Sequence, residues 1–173
     1  MKPYPKPGGG VSEWHEGCIS RHVANSLSLS QTLFTSALTT AATTAALFAL
    51  SRKDTGHPAA ALNATSHILW GKDAAKHDDW DVRHTLAGAL LNAGAMGAWS
   101  IVQGLLPAPR SLFAAARNGA TVSALAYVTD YHVVPERLTP GFEQRLSRKS
   151  LLTSYAVLAA ALAAAGYVLR QRD

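Results

Sequence analysis

Long apolar stretches with few or no charges alternate with short polar connections along this chain. Four of these stretches reach the length that a helix needs to cross the hydrocarbon core of a bilayer, about 20 residues. We expect transmembrane spans at residues 23–50, 84–106, 111–134 and 150–169. The apolar residues are continuous and rich in alanine, without the two-residue alternation that is typical of a β-barrel. The pattern predicts an all-α integral membrane bundle of about four transmembrane helices.

The polar connections divide the chain further. Residues 1–22 contain alternating prolines and a triple glycine, which predicts a flexible or interfacial segment ahead of one membrane domain at residues 23–173. The apolar run at residues 58–70 is too short to span, so we expect a re-entrant or interfacial helix there. Residues 139–149 combine apolar side chains on one side with charges around the rest, which predicts a short helix lying on the surface.

The composition fits this picture and explains a mean hydropathy of only +0.05. Charged residues make up 16% of the chain, well below the quarter that is typical of soluble domains. The apolar stretches use Ala, Thr, Ser and Gly, which score low on hydropathy scales but suit close helix packing in lipid. The basic residues stand in short clusters beside the apolar runs, which indicates membrane flanks and not a nucleic-acid interface. They divide too evenly between the two sides to fix the orientation.

Small residues recur along one side of the second predicted span. Gly97 and Gly104 are one heptad apart, and Gly94 lies one turn before Gly97. Small residues let the backbones of neighbouring helices approach closely within a membrane. We therefore expect Gly94, Gly97 and Gly104 to form a helix-packing face.

The chain has seven histidines, and three of them lie near predicted membrane edges. Consecutive spans run antiparallel, so the end of the third span and the start of the second share one edge. That order brings His67, His84, Asp130 and His132 to the same side, as a ligand set suited to zinc or iron. Two alternatives stay open: histidines that hydrogen-bond to backbone or aspartate, and a proton relay. The sequence contains no H-E-x-x-H pattern that would favour the metal site over these alternatives.

Residues 130–143 read DYHVVPERLTPGFE. This segment resembles a signature, D-Y-x-x-V-P-x-R-L-T-P-G-[FW]-E, of an uncharacterised family of small bacterial multi-pass membrane proteins. Members of that family share stretches similar to residues 63–71 (NATSHILWG) and 83–86 (RHTL) of this chain. The resemblance covers roughly residues 55–165 and implies a location in the bacterial inner (cytoplasmic) membrane. It brings no activity with it, but it points to the stretches that contain the candidate ligands.

Patterns that carry known enzyme chemistry are absent: the sequence has no G-x-S-x-G, no Walker loop and no G-x-G-x-x-G after a strand. We therefore expect a non-enzymatic accessory or structural subunit that packs against other membrane proteins or against itself. The alternative is a metal- or haem-binding membrane protein that uses the histidines at one membrane edge. The expected partners are the lipid bilayer and other membrane proteins or a homo-oligomer, not nucleic acid. The sequence identifies no particular cofactor.

Membrane integration is the first testable prediction. After membranes are washed with alkaline carbonate, which strips peripheral proteins, the full-length chain should stay in the pellet. The reason is that its uncharged stretches at residues 23–50 and 150–169 belong in hydrocarbon. Immunoblotting of pellet and supernatant measures the distribution. Recovery of a folded monomer in the supernatant would rule out a membrane-spanning bundle.

Overall fold

The computed structural model describes residues 28–171, so the predicted N-terminal segment and the first residues of the predicted span 23–50 lie outside the described part. Within the described part the chain is helical and has no strand, which confirms the predicted all-α fold class. The helices are α1 (Leu29–Thr55), α2 (Ala60–Thr65), α3 (His67–Trp70), α4 (Val82–Gly104), α5 (Leu112–Val128) and α6 (Arg148–Arg170). Short 3₁₀ segments at Lys72–Lys76, Glu136–Leu138 and Phe142–Gln144, and a π-helical turn at Thr129–Val133, join them.

Three helices of the described part, α1, α4 and α6, are long and apolar enough to cross a membrane. They fall on three of the four predicted spans. The predicted span 111–134 requires correction, because α5 has only 17 residues and passes into the π-helical turn after Val128. That turn contains the polar residues Asp130 and His132, and Pro135 prevents the helix from continuing. The bundle therefore has about three spanning helices by length and composition, and α5 is a shorter helix packed against α6.

The ends of the long helices follow from local sequence. The Asp81 carboxylate accepts a hydrogen bond from the backbone N–H of Arg83 at 2.8 Å and so caps α4. The Ser147 hydroxyl accepts one from the N–H of Ser150 at 3.3 Å and caps α6. Helix α1 ends at Thr55, and Gly56 follows it with a φ of 81°, a left-handed conformation that suits glycine.

A row of threonines forms much of the buried face of α1. Thr35, Thr39 and Thr43 are buried, and α1 packs against α4 and α6. The hydroxyls of Thr39 and Thr43 each donate to the carbonyl oxygen four residues earlier, at 2.8 Å. A hydroxyl that is satisfied within its own helix can be buried among apolar groups without an unpaired donor. The small side chains thereby allow close packing at little polar cost.

The short helix α2 lies inside the bundle and not at its surface, which departs from the interfacial alternative expected at residues 58–70. Ala60, Ala61 and Ala64 are fully buried, and α2 packs against both α1 and α4. A Cβ atom at Gly88 of α4 would overlap the carbonyl oxygen of Leu62. Alanines on one helix and a glycine on the other therefore make room for α2.

On the predicted packing face of Gly94, Gly97 and Gly104, neither Gly94 nor Gly97 has a close neighbour among the described residues. A Cβ atom at Gly94 would meet nothing within 4 Å, and one at Gly97 would make only an ordinary contact at 3.7 Å. Among the helix glycines of residues 28–171, a Cβ atom would meet the closest neighbours at Gly88 and Gly119 instead. A small-residue pattern shows where helices can approach, but not which side of the helix faces a neighbour. A role of this face in contacts with other proteins stays a prediction.

Residues 134–147 pack onto one end of the bundle as a connection with two 3₁₀ turns, where a continuous surface helix was expected at residues 139–149. Phe142 and Leu146 are buried, whereas Leu138 is 52% exposed. Gly141 interrupts the segment with a φ of 78°, which a helix does not allow. The apolar side chains of this connection therefore cover the core.

Two helix-interior glycines offer a matched pair for testing the packing. In Gly119→Ala the new Cβ would overlap the Ala159 carbonyl oxygen and lie 2.8 Å from the nitrogen of Ala163, so α5 and α6 must separate. We expect a loss of about 1–3 kcal/mol in unfolding free energy. Gly94→Ala meets nothing and should be neutral or stabilising by up to about 1 kcal/mol through helix propensity. Thermal unfolding in detergent compares them, and equal effects would contradict the α5–α6 contact.

Candidate functional site

One end of the bundle brings together the segment around α2 and α3, the loop before α4 and the connection after α5. The Lys72 ammonium lies 3.2 Å from the Glu136 carboxylate, and Nε2 of His67 lies 3.4 Å from the Glu136 carbonyl oxygen. Arg145 forms an ion pair with Asp78. The end of the predicted span 111–134 therefore lies at the same end of the bundle as the residues before the predicted span 84–106. This agrees with the antiparallel order expected for consecutive spans.

Asn63 organises the loop that leads into α4. Its fully buried side-chain amide donates to the carbonyl oxygens of His77 and Asp79, at 3.1 and 2.8 Å. Its Oδ1 accepts a hydrogen bond from the Thr85 hydroxyl at 2.7 Å, and that hydroxyl oxygen accepts one from the Asp81 N–H at 3.1 Å. A buried polar network with these partners holds the loop against the first turn of α4.

His77, Asp81 and His84 form a compact group of potential metal ligands. One ligand atom of each residue lies within 4.8 Å of those of the other two. Nδ1 of His84 contacts Oδ2 of Asp81, and the imidazole rings of His77 and His84 stack with centroids 3.9 Å apart. His84 is buried, Asp81 is half-buried and His77 is exposed. The group is therefore accessible from the side of His77.

The Asp81 carboxylate supplies the negative charge of this group. Its hydrogen bond with His84, and a second one from the Arg83 backbone N–H, lower the pKa of Asp81 below its usual value. The carboxylate is therefore ionised at neutral pH. An ionised carboxylate beside two imidazoles can bind a cation, and at the first turn of α4 it also complements the helix dipole.

Aromatic and basic side chains support His84 from outside the group. The Trp70 ring meets the His84 ring edge-on, with centroids 5.2 Å apart. The Arg83 guanidinium lies 4.5 Å from the centroid of the Trp70 ring. On the other side of the loop, Asp79 bonds to Nδ1 of His57 at 3.2 Å. These contacts connect the loop to its neighbours and limit the movement of His84.

His67, the first of the four predicted ligands, lies at the same end but makes other contacts. It is buried, and its Nδ1–H donates to the Ala64 carbonyl oxygen at 2.8 Å. Its Nε2 faces the carbonyl oxygen of Glu136, and a Cβ atom at Gly141 would lie 2.9 Å from Nδ1. Both ring nitrogens face backbone oxygens, so His67 joins α3 to the connection after α5.

Asp130 and His132 lie on the π-helical turn. The Tyr155 hydroxyl donates to Oδ2 of Asp130 at 2.6 Å. His132 is exposed and its ring centroid lies 5.9 Å from that of Tyr127. Across residues 28–171, only His84 of the four predicted ligands belongs to a group of three or more residues that could hold an ion.

Neither His77 nor Asp81 belongs to the ligand set that the sequence predicts. The signal is the spacing H-x₃-D-x₂-H, which crosses the loop and the first turn of α4. An N-cap residue and the residue three positions later share a side of the helix, so Asp81 and His84 could have been paired. The position of His77 depends on the loop conformation, which Asn63 fixes from helix α2.

Comparison with known proteins assigns this chain to no family. No protein-family model matches the sequence, and neither a curated protein nor a solved structure matches the chain. Function is therefore inferred from the residues of the site itself.

Asn63→Ala tests the network that positions the site. The carbonyl oxygens of His77 and Asp79 and the Thr85 hydroxyl would each lose a partner, so we expect a cost of about 2–3 kcal/mol. Amide hydrogen exchange in the loop should become faster at the same time.

The control is Asn92→Ala, which removes another buried asparagine. Its amide donates to the hydroxyls of Thr43 and Thr44, at 3.3 and 3.2 Å, far from the loop in sequence. This variant should lower thermal stability but leave exchange in the loop unchanged. Unchanged loop exchange in Asn63→Ala would show that the network does not hold the loop.

Proposed function

We propose that this chain is a small multi-pass membrane protein that binds one divalent transition-metal ion at His77, Asp81 and His84. One observation carries the proposal: the ligand atoms of two imidazoles and an ionised carboxylate lie within 4.8 Å of one another at the start of α4. The Asn63 network and the Trp70 contact supply the surrounding support that metal ligands need for a fixed orientation.

The donor set indicates the class of metal. Two nitrogens and one oxygen suit zinc or ferrous iron. Tetrahedral bonds of about 2.0–2.2 Å bring ligand atoms to within roughly 3.5 Å of one another. The rings of His77 and His84 are stacked, so metal binding requires the exposed His77 side chain to rotate until one of its nitrogens faces the ion. It also requires the ion to replace the hydrogen bond between Asp81 and His84. Three protein ligands leave one coordination position for water or a further ligand.

A metal ion fits this site better than a haem. The rings of His77 and His84 are nearly parallel, at an angle of 16°, with centroids 3.9 Å apart. Two axial histidines of a haem stand on opposite sides of the porphyrin. Rings stacked this closely leave no space for a porphyrin between them.

The proposed location is the bacterial cytoplasmic membrane. The three long apolar helices support a membrane protein, and the resemblance at residues 63–71 and 130–143 supports the bacterial location. An accessory subunit is the other function that the sequence predicts. Leu86, Leu90 and Ile101 of α4 are exposed, but lipid covers such side chains as well as a partner helix does. The exposed surface therefore favours membrane insertion without favouring a protein partner.

Metal titration tests the proposal. Purified full-length protein in detergent should bind one equivalent of Co²⁺, followed by its visible absorption, and Zn²⁺ should displace it. His77→Ala, Asp81→Asn and His84→Ala should each weaken binding by at least about 10–100-fold, because a three-ligand site fails when one ligand is lost. Asparagine at residue 81 still caps α4, which separates the loss of a ligand from the loss of the helix start.

Three other histidines serve as controls. His57→Ala and His132→Ala should retain the affinity for Co²⁺, since neither residue belongs to the group. His67→Ala should lower thermal stability, because it removes the contacts with Ala64 and Glu136. Full affinity in all three ligand variants would overturn the site. Loss of binding in His132→Ala would instead favour the ligand set predicted from the sequence.

A further inference from the structure

A cavity of about 130 Å³ lies between the helices, apart from the three metal ligands. Helices α1, α4, α5 and α6 all contribute to its wall, together with α2, α3 and the connection after α5. The wall is largely apolar, and no histidine of the described residues lines it. A cavity of about 150 Å³ can hold a benzene molecule, so the cavity in this bundle can hold a ligand whose apolar part is no larger than a single ring. Its larger apolar residues are Leu47, Met96, Trp99, Phe142 and Leu158.

Polar residues also line this apolar space. Asp130 lines the cavity beside Tyr155, whose hydroxyl donates to its Oδ2 at 2.6 Å, and Asn92 lines it from α4. Thr65 is only 4% exposed, and its hydroxyl has no hydrogen-bond partner. Buried polar groups in folded proteins nearly always have a partner. Because Thr65 lines the cavity, a polar group of a ligand bound there would give this hydroxyl a partner.

We propose that this cavity binds a small organic amine, with an ammonium group at Asp130 and Thr65 and an apolar body among the surrounding side chains. A carboxylate in a low-dielectric cavity attracts a cation far more strongly than it does in water. A hydrocarbon would leave the Thr65 hydroxyl without a partner, and an anion would be repelled by Asp130. Trp99 and Phe142 add aromatic surface, which attracts cations.

The amine site is independent of the proposed metal site. None of His77, Asp81 and His84 lines the cavity. Its polar lining residues Thr65 and Asp130 come instead from the stretches 63–71 and 130–143, and neither of them is a proposed metal ligand. Failure of metal binding would therefore leave this inference standing, and the reverse also holds.

Three probe ligands of similar size separate the effect of a positive charge on binding from the effect of the aromatic ring. Full-length protein in phosphatidylcholine nanodiscs at neutral pH is heated with benzylamine, benzyl alcohol or toluene at equal concentration. Benzylamine should raise Tm the most, because it alone carries a positive charge. Asp130→Asn keeps a polar partner for Tyr155 and should weaken benzylamine binding at least about tenfold while leaving toluene unchanged. Benzyl alcohol or toluene acting as strongly as benzylamine would overturn the proposal.

A second variant keeps the test valid if Asp130→Asn fails to fold. Thr65→Val has the same shape and removes only the unpartnered hydroxyl, so it should weaken benzylamine severalfold without affecting toluene. Thr153→Val is the matched control, since Thr153 is exposed on α6 and does not line the cavity. An amine site would be excluded if Thr65→Val and Asp130→Asn both bound benzylamine as tightly as the wild type. It would also be excluded if none of the three probes changed the Tm of the wild-type protein.

Discussion

The buried side chain of Asn63 is the interaction on which the functional end of this molecule depends. It bonds to two carbonyl oxygens of the loop before α4 and to the first turn of α4 through Thr85. The amide can hold the loop because α2 itself is enclosed by α1 and α4. The Arg145–Asp78 ion pair and the contact between His57 and Asp79 also hold this loop, but both lie closer to the surface than the fully buried Asn63. The geometry of the metal ligands is thus set by helix packing elsewhere in the bundle.

The bundle is stabilised by close packing and internal hydrogen bonds more than by large apolar side chains. Within lipid, burial of an apolar side chain between helices gains little, because hydrocarbon tails are equally apolar. The threonine hydroxyls of α1 bond to their own helix, and Asn92 bonds across to Thr43 and Thr44. Small residues make these contacts possible, and they also explain why the mean hydropathy of the chain is so low.

The sequence predicts what depends on continuous runs of residues and misses what depends on contacts between them. The helices α1, α4 and α6 follow directly from long stretches without interior charges. Helix α5 falls short because a π-helical turn begins at Thr129, and no hydropathy average detects such a turn. The burial of α2 was also missed, since a short apolar run has the same composition at a membrane interface and in a core. His77 was also missed, because its position depends on a hydrogen bond from Asn63, which lies fourteen residues earlier.

Helix α2 is the common support of the two proposed sites. Asn63 extends from it to the loop of the metal ligands, and Thr65, two residues later, lines the central cavity. All six residues of this helix are buried, and Gly88 of α4 leaves its backbone no space to shift towards that side. A rigid body in this position fixes both geometries at once. A larger side chain at residue 88 would therefore disturb the loop and the cavity together, although Gly88 is itself neither a proposed ligand nor a residue that lines the cavity.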